Sequence, residues 1–297
     1  MTEMWILYAT LGMIAGGISM AFLKVPTIFN INTRVYSFLI SVISFVLGLT
    51  LLHDSIFIDY STMLYAALCA IFLILTFQKQ MEVFKKVDVS TILPFTSLSS
   101  HVLVIILGIF FFHDHISTMQ SIAIISGILF LIKYKNIHLN THFNGAMIYM
   151  VSSIVLFSTA NKFTQKYGAI KVDVYNFTFW LVFFMMIASL FLIILSERGT
   201  ILKKHSLISF IKSNILIFNN KKILLYTLCA GICSFTANVY LTKALATGPF
   251  SLVYTINSLY LLVTSLVTWK LFNEKQTGNK TLYICIVIVI ILLIKLG

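Results

Sequence analysis

Two unbroken apolar runs, Leu103–Phe112 and Leu282–Leu293, constrain this chain most. Neither contains a charge, and neither offers the polar face that a surface helix of a soluble domain needs. A bilayer core takes ~20 apolar residues per helix. About ten stretches of roughly that length can be marked out: 4–23, 33–52, 62–84, 91–112, 117–134, 145–165, 174–195, 222–245, 249–271 and 280–296. Open sheets are excluded in lipid, which cannot satisfy backbone N–H and C=O groups. The sequence therefore predicts an all-α integral membrane protein of about ten transmembrane helices. Composition agrees, because 59% hydrophobic against 10% charged leaves too little polar surface to cover a soluble chain of 297 residues. The first stretch, Met4–Leu23, follows Met1-Thr2-Glu3 with no basic residue. It is expected to be a helix of the mature protein and not a signal peptide.

A net charge of +12 raises nucleic acid as a partner. The lysines, however, fall between apolar stretches and not in one patch, so nucleic acid is not expected. They bear on topology instead. Of the 21 Lys and Arg, 16 lie in the loops after the odd-numbered stretches and 5 on the side of the termini: Lys162, Lys166, Lys171, Lys243 and Lys295. The basic side should be cytoplasmic, with both termini outside. The one long connection, Ser196–Lys221, carries Arg198, Lys203, Lys204, Lys212 and Lys221 against Glu197. Its amphipathic part, Ser206–Phe218, is too short and basic to span and is expected at the interface. The four cysteines, Cys69, Cys229, Cys233 and Cys285, sit in apolar runs and read as buried free thiols.

A shift of 160 residues lays Glu82–Ile132 on Thr242–Leu292 without a gap. Phe112-His113-Asp114 falls on Phe272-Asn273-Glu274, and Ser117 on Thr277. The chain then reads as two five-helix repeats, 1–140 and 141–297, with the basic loop 196–221 inside the second. An odd number of spans inverts the second repeat relative to the first. Inverted repeats are a recurring transporter design, with the substrate site near the midplane between them.

Lys243-Ala244-Leu245-Ala246-Thr247-Gly248-Pro249-Phe250-Ser251-Leu252-Val253 resembles the junction of the eighth and ninth helices in EamA-type members of the drug/metabolite transporter superfamily. Phe272-Asn273-Glu274-Lys275, then a polar gap and a last apolar helix, is similar to that family's final turn. The second half lacks the glycine often found after the acidic turn, although Gly127 holds a comparable place in the first half. Family members commonly keep their termini in the cytoplasm, opposite to the lysine distribution. The resemblance implies a ten-helix fold and alternating access for small metabolites.

Candidate functional residues follow from where polar groups meet the spans. None of the nine carboxylates falls at a span centre, which weakens a carboxylate-driven proton antiport. His101 lies ~15 Å deep in span 4. It suits proton coupling or substrate binding, or else a neutral histidine bonded to a neighbouring helix. Lys24, Lys162 and Lys243 are placed near helix ends, where they could hold an anion or simply snorkel. Asn238 and Asn257 sit on the hairpin of spans 8 and 9, with Tyr260 on the same face as Asn257. The 160-residue shift maps Gln78 and Ser97 onto those two asparagines. Gln78, Ser97, His101, Asn238, Asn257 and Tyr260 are the expected substrate-binding set, the alternative being helix-to-helix bonds only. Pro94 should kink span 4 and free a carbonyl. Gly12 and Gly16 form a GxxxG suited to helix packing.

The expected function is a secondary transporter for a small polar metabolite, such as an amino acid or amine, in the plasma membrane of a bacterium. Its partners are a small-molecule substrate and membrane lipid, as a monomer or homodimer. No cofactor, metal or enzymatic activity is expected. The alternatives are a flippase for a lipid-linked sugar, or a membrane-embedded enzyme using His113-Asp114-His115. That cluster maps onto a repeat element without histidines, which fits a structural carboxylate better than a metal site.

Overall fold

A computed structural model describes residues 4–86, 89–134, 145–196, 220–273 and 289–295. Among these residues all regular structure is helical. In chain order the helices are α1 (Met4–Phe22), α2 (Val25–Ile28), α3 (Thr33–Leu51), α4 (Tyr60–Phe84), α5 (Val89–Phe111), α6 (Thr118–Tyr134), α7 (Gly145–Lys171), α8 (Val174–Ser196), α9 (Lys221–Thr247), α10 (Phe250–Ser258) and α11 (Tyr260–Phe272). Residues 289–295 are also helical. Among the described residues, six helical stretches are long and apolar enough to cross a membrane: α1–α2, α3, α4, α8, α9 and α10–α11. Shorter apolar segments, Thr96–Phe111 and Thr118–Leu129, lie within α5 and α6. These are the proportions of a multi-pass membrane protein.

The distribution of side chains points the same way. The outer surface is apolar, with Ile58, Phe110, Leu64 and Leu156 each more than half exposed. The interior holds Gln78, Gln80, Ser100, His101, Gln165, Lys166 and Asn176, all buried. A soluble domain would do the reverse. Lipid offers no penalty to the outer leucines, and interhelical hydrogen bonds accommodate the inner polar groups.

Local sequence sets the helix starts. Asn32 Oδ1 accepts from the backbone N–H groups of Arg34 (2.9 Å) and Val35 (3.3 Å) and so caps α3. Asp59 caps α4 through Thr62 N–H at 3.0 Å, and Asn220 caps α9 through Lys222 N–H at 3.0 Å. Ser117 and Gln120 form a reciprocal capping box ahead of α6, at 3.2 and 3.0 Å.

Close packing brings the elements together. α1 lies along α9, while α4 packs on α7 and α8. A Cβ on Gly12 would stand 3.3 Å from the Leu241 backbone nitrogen, and one on Gly17 would stand 2.7 Å from the Tyr260 carbonyl oxygen. The Gly12 half of the GxxxG therefore serves the contact of α1 with α9.

Two expectations need correction. Span 9 is not continuous: Leu259 interrupts it between α10 and α11. Span 6 does not stop at residue 165 but runs to Lys171. α5 runs from Val89 to Phe111 across Pro94. The loop 197–219, Glu274, Cys285 and most of the tenth span lie outside the described residues. Among the described cysteines, Cys69, Cys229 and Cys233 are free thiols; Cys69 is buried and the other two half-buried.

Candidate functional site

The centre of the bundle holds a cavity of about 110 Å³. One water needs ~10–15 Å³ on the same measure, so several waters or a small solute fit. Its wall is drawn from α1, α4, α5, α7, α9, α10 and α11.

α7 contributes the charge. Lys162 lies nine residues before the helix end at Lys171, ~14 Å in at 1.5 Å per residue and near the middle of a bilayer core. The sequence reading puts it close to a helix end, and snorkelling from there is excluded by this position. Lys162 Nζ donates to Ser100 Oγ at 2.7 Å and stands 5.3 Å from the centre of the Tyr254 ring. Ser100 is itself held by Ser158 at 3.3 Å and Thr159 at 3.2 Å. No carboxylate lines the cavity among the described residues. Of the described carboxylates, Asp54, Asp59 and Asp173 lie in connections, Asp114 follows α5, and Glu82 sits two residues before the end of α4, beside Lys79 at 3.0 Å.

Two of the lining residues, Tyr254 and Gln165, belong to a hydrogen-bonded chain. Tyr254 donates its hydroxyl to Gln165 Oε1 at 3.1 Å, and Gln165 Nε2 donates to Thr242 Oγ1 at 3.0 Å. Beyond it, toward the α9–α10 turn, Lys166 Nζ donates to the carbonyls of Leu245 (2.7 Å) and Gly248 (2.8 Å). These belong to the last turn and C-cap of α9, whose partial negative charge favours a cation. Lys243 Nζ faces the rings of Tyr175, Tyr8 and Tyr240 at 4.6, 5.4 and 5.9 Å from their centres, a cation–π cluster at the same end of the bundle.

The helix break borders the cavity as well. Leu259 N–H bonds Ile256 O at 3.1 Å in place of the carbonyl four residues back. That carbonyl, of Thr255, accepts the Ser258 hydroxyl at 2.7 Å. A hydroxyl thus substitutes for a backbone donor between two cavity residues, Asn257 and Tyr260. Interrupted helices at substrate sites are a recurring transporter feature.

Of the expected binding set, Ser97, Asn238, Asn257 and Tyr260 line this cavity. Ser97 stands beside the Tyr260 hydroxyl. No hydrogen bond joins Asn238 to Asn257 among the described residues; Asn238 instead makes a long 4.0 Å contact with Met185 Sδ. Gln78 is buried but does not line the cavity, and neither of its amide atoms has a partner among the described residues. Gln80, two residues on and so roughly 200° around the helix, takes the place expected for it. His101 lies outside the lining, fully buried, with Nε2 3.4 Å from Thr255 Oγ1. Asn161 and Gln165 are missing from the expected set, although two amides within a turn of a mid-span lysine are a readable signal. Asn161 also lines the cavity and accepts from Cys69 Sγ at 2.9 Å.

The His113-Asp114-His115 cluster has a backbone explanation. His113 takes a left-handed conformation, φ 51°. Phe112 and Asp114 N–H both bond Gly108 O, at 3.2 and 3.1 Å. His113 supplies the left-handed residue that ends α5 and turns the Asp114 N–H back onto the helix. Both histidines are exposed, and no group of three potential metal ligands occurs among the described residues.

No protein family's sequence profile matches this chain, and no curated protein matches it. A solved structure described as "Crystal structure of protein" superposes with a TM-score of 0.66 over 97% of this chain and 98% of its own, at 9% identity. The two chains share a fold. At that identity the likeness concerns the path of the helices.

Proposed function

We propose that this protein is a secondary transporter that moves a small polar metabolite across a membrane by alternating access. One observation carries the reading: a polar cavity with a mid-span lysine and a helix break, enclosed by helices from both halves of the chain. A polar chamber at bilayer depth is what a solute needs to cross lipid. Its volume favours a small metabolite over a lipid-linked sugar. The exposed histidines at 113 and 115 have no third potential metal ligand beside them among the described residues.

The proposal includes ten spans in two inverted five-helix repeats, in the manner of EamA-type drug/metabolite transporters. The ends of α5 and α11 support it. His113 and Asn273, 160 residues apart, both follow a phenylalanine and both adopt left-handed conformations, φ 51° and 53°. The proposed location is the plasma membrane of a bacterium, with the basic loops inside. Lys162 and Lys166 belong to the bundle interior and not to a loop. Only Lys171, Lys243 and Lys295 then remain on the side of the termini, which strengthens the charge asymmetry.

Reconstitution in proteoliposomes preloaded with a metabolite mixture tests the reading. Accelerated exchange of at least one labelled metabolite over protein-free vesicles is expected. Exchange no faster than in empty vesicles for every metabolite counts against transport.

A further inference from the structure

The two buried lysines of α7 differ in how their charge is met. Lys166 spends its donors on the Leu245 and Gly248 carbonyls, and Asp114 lies within electrostatic range. Lys162 has a single hydrogen-bond partner among the described residues, the Ser100 hydroxyl. An ammonium carries three donors, so two N–H groups are left over. They belong to a side chain in the cavity wall, and among the described residues that wall contains no Asp or Glu. At bilayer depth, with no carboxylate beside it among the described residues, a lysine keeps its proton only at a cost unless something anionic accompanies it.

The surroundings fix Lys162 in place. Ser100 is tied to Ser158 and Thr159. The Tyr254 ring beneath the ammonium is held through Gln165 to Thr242. The rest of the polar wall is neutral: Asn161, Asn238 and Asn257 amides, the Tyr260 hydroxyl, Gln80 and Ser97. Gln80 Oε1 has no partner among the described residues. Such groups hydrogen-bond hydroxyls, carbonyls or amides on a solute but cannot neutralise a positive charge.

We infer that the cargo of this cavity is a small oxyanion, a carboxylate or a phosphate monoester, whose negative group binds the free donors of Lys162 while the asparagine and tyrosine side chains hold its neutral polar part. Simple amines find no acidic partner among the described residues of the wall. This rests on the cavity being the transport site proposed above, and it narrows the expected amino acid or amine to the anionic side.

The test uses the intact protein purified in detergent. Thermal stabilisation is measured with short-chain carboxylates (lactate, succinate), phosphate monoesters (glycerol 3-phosphate), a zwitterion (L-serine), amines (ethanolamine, choline) and glycerol. At least one carboxylate or phosphate ester should stabilise the protein, and the amines and glycerol should not. Whether the carboxylates or the phosphate esters act distinguishes the two sources of the oxyanion. Lys162→Gln should weaken that binding by roughly tenfold or more, with Lys162→Arg retaining part of it. Stabilisation by an amine but by no anion overturns the inference, as does no stabilisation by any anion. Both outcomes are read on the wild-type protein and do not need the variants to fold. Anion binding unchanged in a folded Lys162→Gln protein overturns it too. Anion binding without exchange in proteoliposomes instead rejects transport and leaves the anion site standing.

Discussion

Asp114 Oδ2 accepts a hydrogen bond from the backbone N–H of Ser251 at 2.7 Å. The carboxylate belongs to the turn after α5, and the donor lies in the first turn of α10. The bond therefore joins distant parts of the chain at a helix N-terminus, where a negative charge is favourable. Pro249, the N-cap of α10, makes no side-chain cap bond of its own, and Asp114 supplies the missing acceptor from outside. Asp114→Ala should cost ~1–2 kcal/mol of stability. Asp114→Asn, which keeps an acceptor, should cost less. Thermal unfolding in detergent reads both, and an Asp114→Asn protein as stable as wild type would remove the charge–dipole part of the argument. The repeat-related Glu274 lies outside the described residues.

Gly108 makes that bond sterically possible. A Cβ there would stand 2.7 Å from Asp114 Oδ2 and meet the Ser251 side chain as well. Gly108→Ala should therefore lower the unfolding temperature at least as much as Asp114→Ala. It should add little to the Asp114→Ala loss in the double variant, since both disrupt one contact. Fully additive losses would show that the two act separately.

Lys166 faces the same turn from the other direction and binds the carbonyls that end α9. Removing it leaves two buried acceptors without a donor, at ~1–3 kcal/mol each. Lys166→Met should reduce stability and yield strongly while leaving the cargo affinity of the surviving folded protein unchanged. A folded variant with normal melting but altered affinity would move Lys166 into the binding site.

The spans were legible because lipid imposes one length and one composition on every crossing. The boundaries of α1, α3 and α8 match the apolar stretches to within a residue or two. Lys162 was harder to place. Gln165 and Lys166 follow it closely and look like the end of a span, yet the helix continues because α9 provides carbonyls for Lys166. That compensation is tertiary and leaves no local trace. The Leu259 break has neither glycine nor proline to mark it, and its stabilising bond, Ser258 hydroxyl to Thr255 carbonyl, reads as ordinary packing. The cavity residues on α9, α10 and α11 were found because polar groups were dense there. On α4 the choice between Gln78 and Gln80 depended on a helical face that the repeat shift alone did not settle.

Asp59, the cap of α4, lies outside the spans. Its carboxylate accepts from the Ser61 and Thr62 hydroxyls and from their N–H groups, and these bonds, the Ser61 hydroxyl foremost, hold its pKa down to about 2 from the ordinary 3.8. A depressed carboxylate stabilises the fold above its unfolded value and loses that contribution as pH falls toward the folded one. The melting difference between wild type and Asp59→Ala should therefore be constant above about pH 5 and shrink between about 4 and 2. A difference that stays constant down to pH 2 would mean the cap carries no charge-dependent stability.

Orientation follows from the lysine distribution and is open to direct measurement. In a background lacking the native cysteines, His53→Cys, in the connection between α3 and α4, should react with an impermeant maleimide in intact cells. Ser206→Cys in the basic loop should react only after permeabilisation. The reverse pattern would place the termini in the cytoplasm, as is common in EamA-type transporters.

Asn257 tests the cavity itself. It immediately precedes Ser258, the last residue of α10 before the break at Leu259, and it lines the chamber. No hydrogen bond ties its side chain to another described residue, so truncation leaves no protein group newly unsatisfied. The loss of stability should therefore be small. A cargo group bound to the amide loses a hydrogen bond inside a low-dielectric chamber, worth roughly 1–1.5 kcal/mol, or about tenfold in affinity. Asn257→Ala should raise the half-saturation of exchange by that factor with an unchanged melting temperature. Asn238 faces the same chamber but already contacts Met185 Sδ, so Asn238→Ala should give a smaller affinity loss. If neither variant changes half-saturation while both stay folded, the polar groups of α9 and α10 serve only to join helices, and the cargo binds elsewhere.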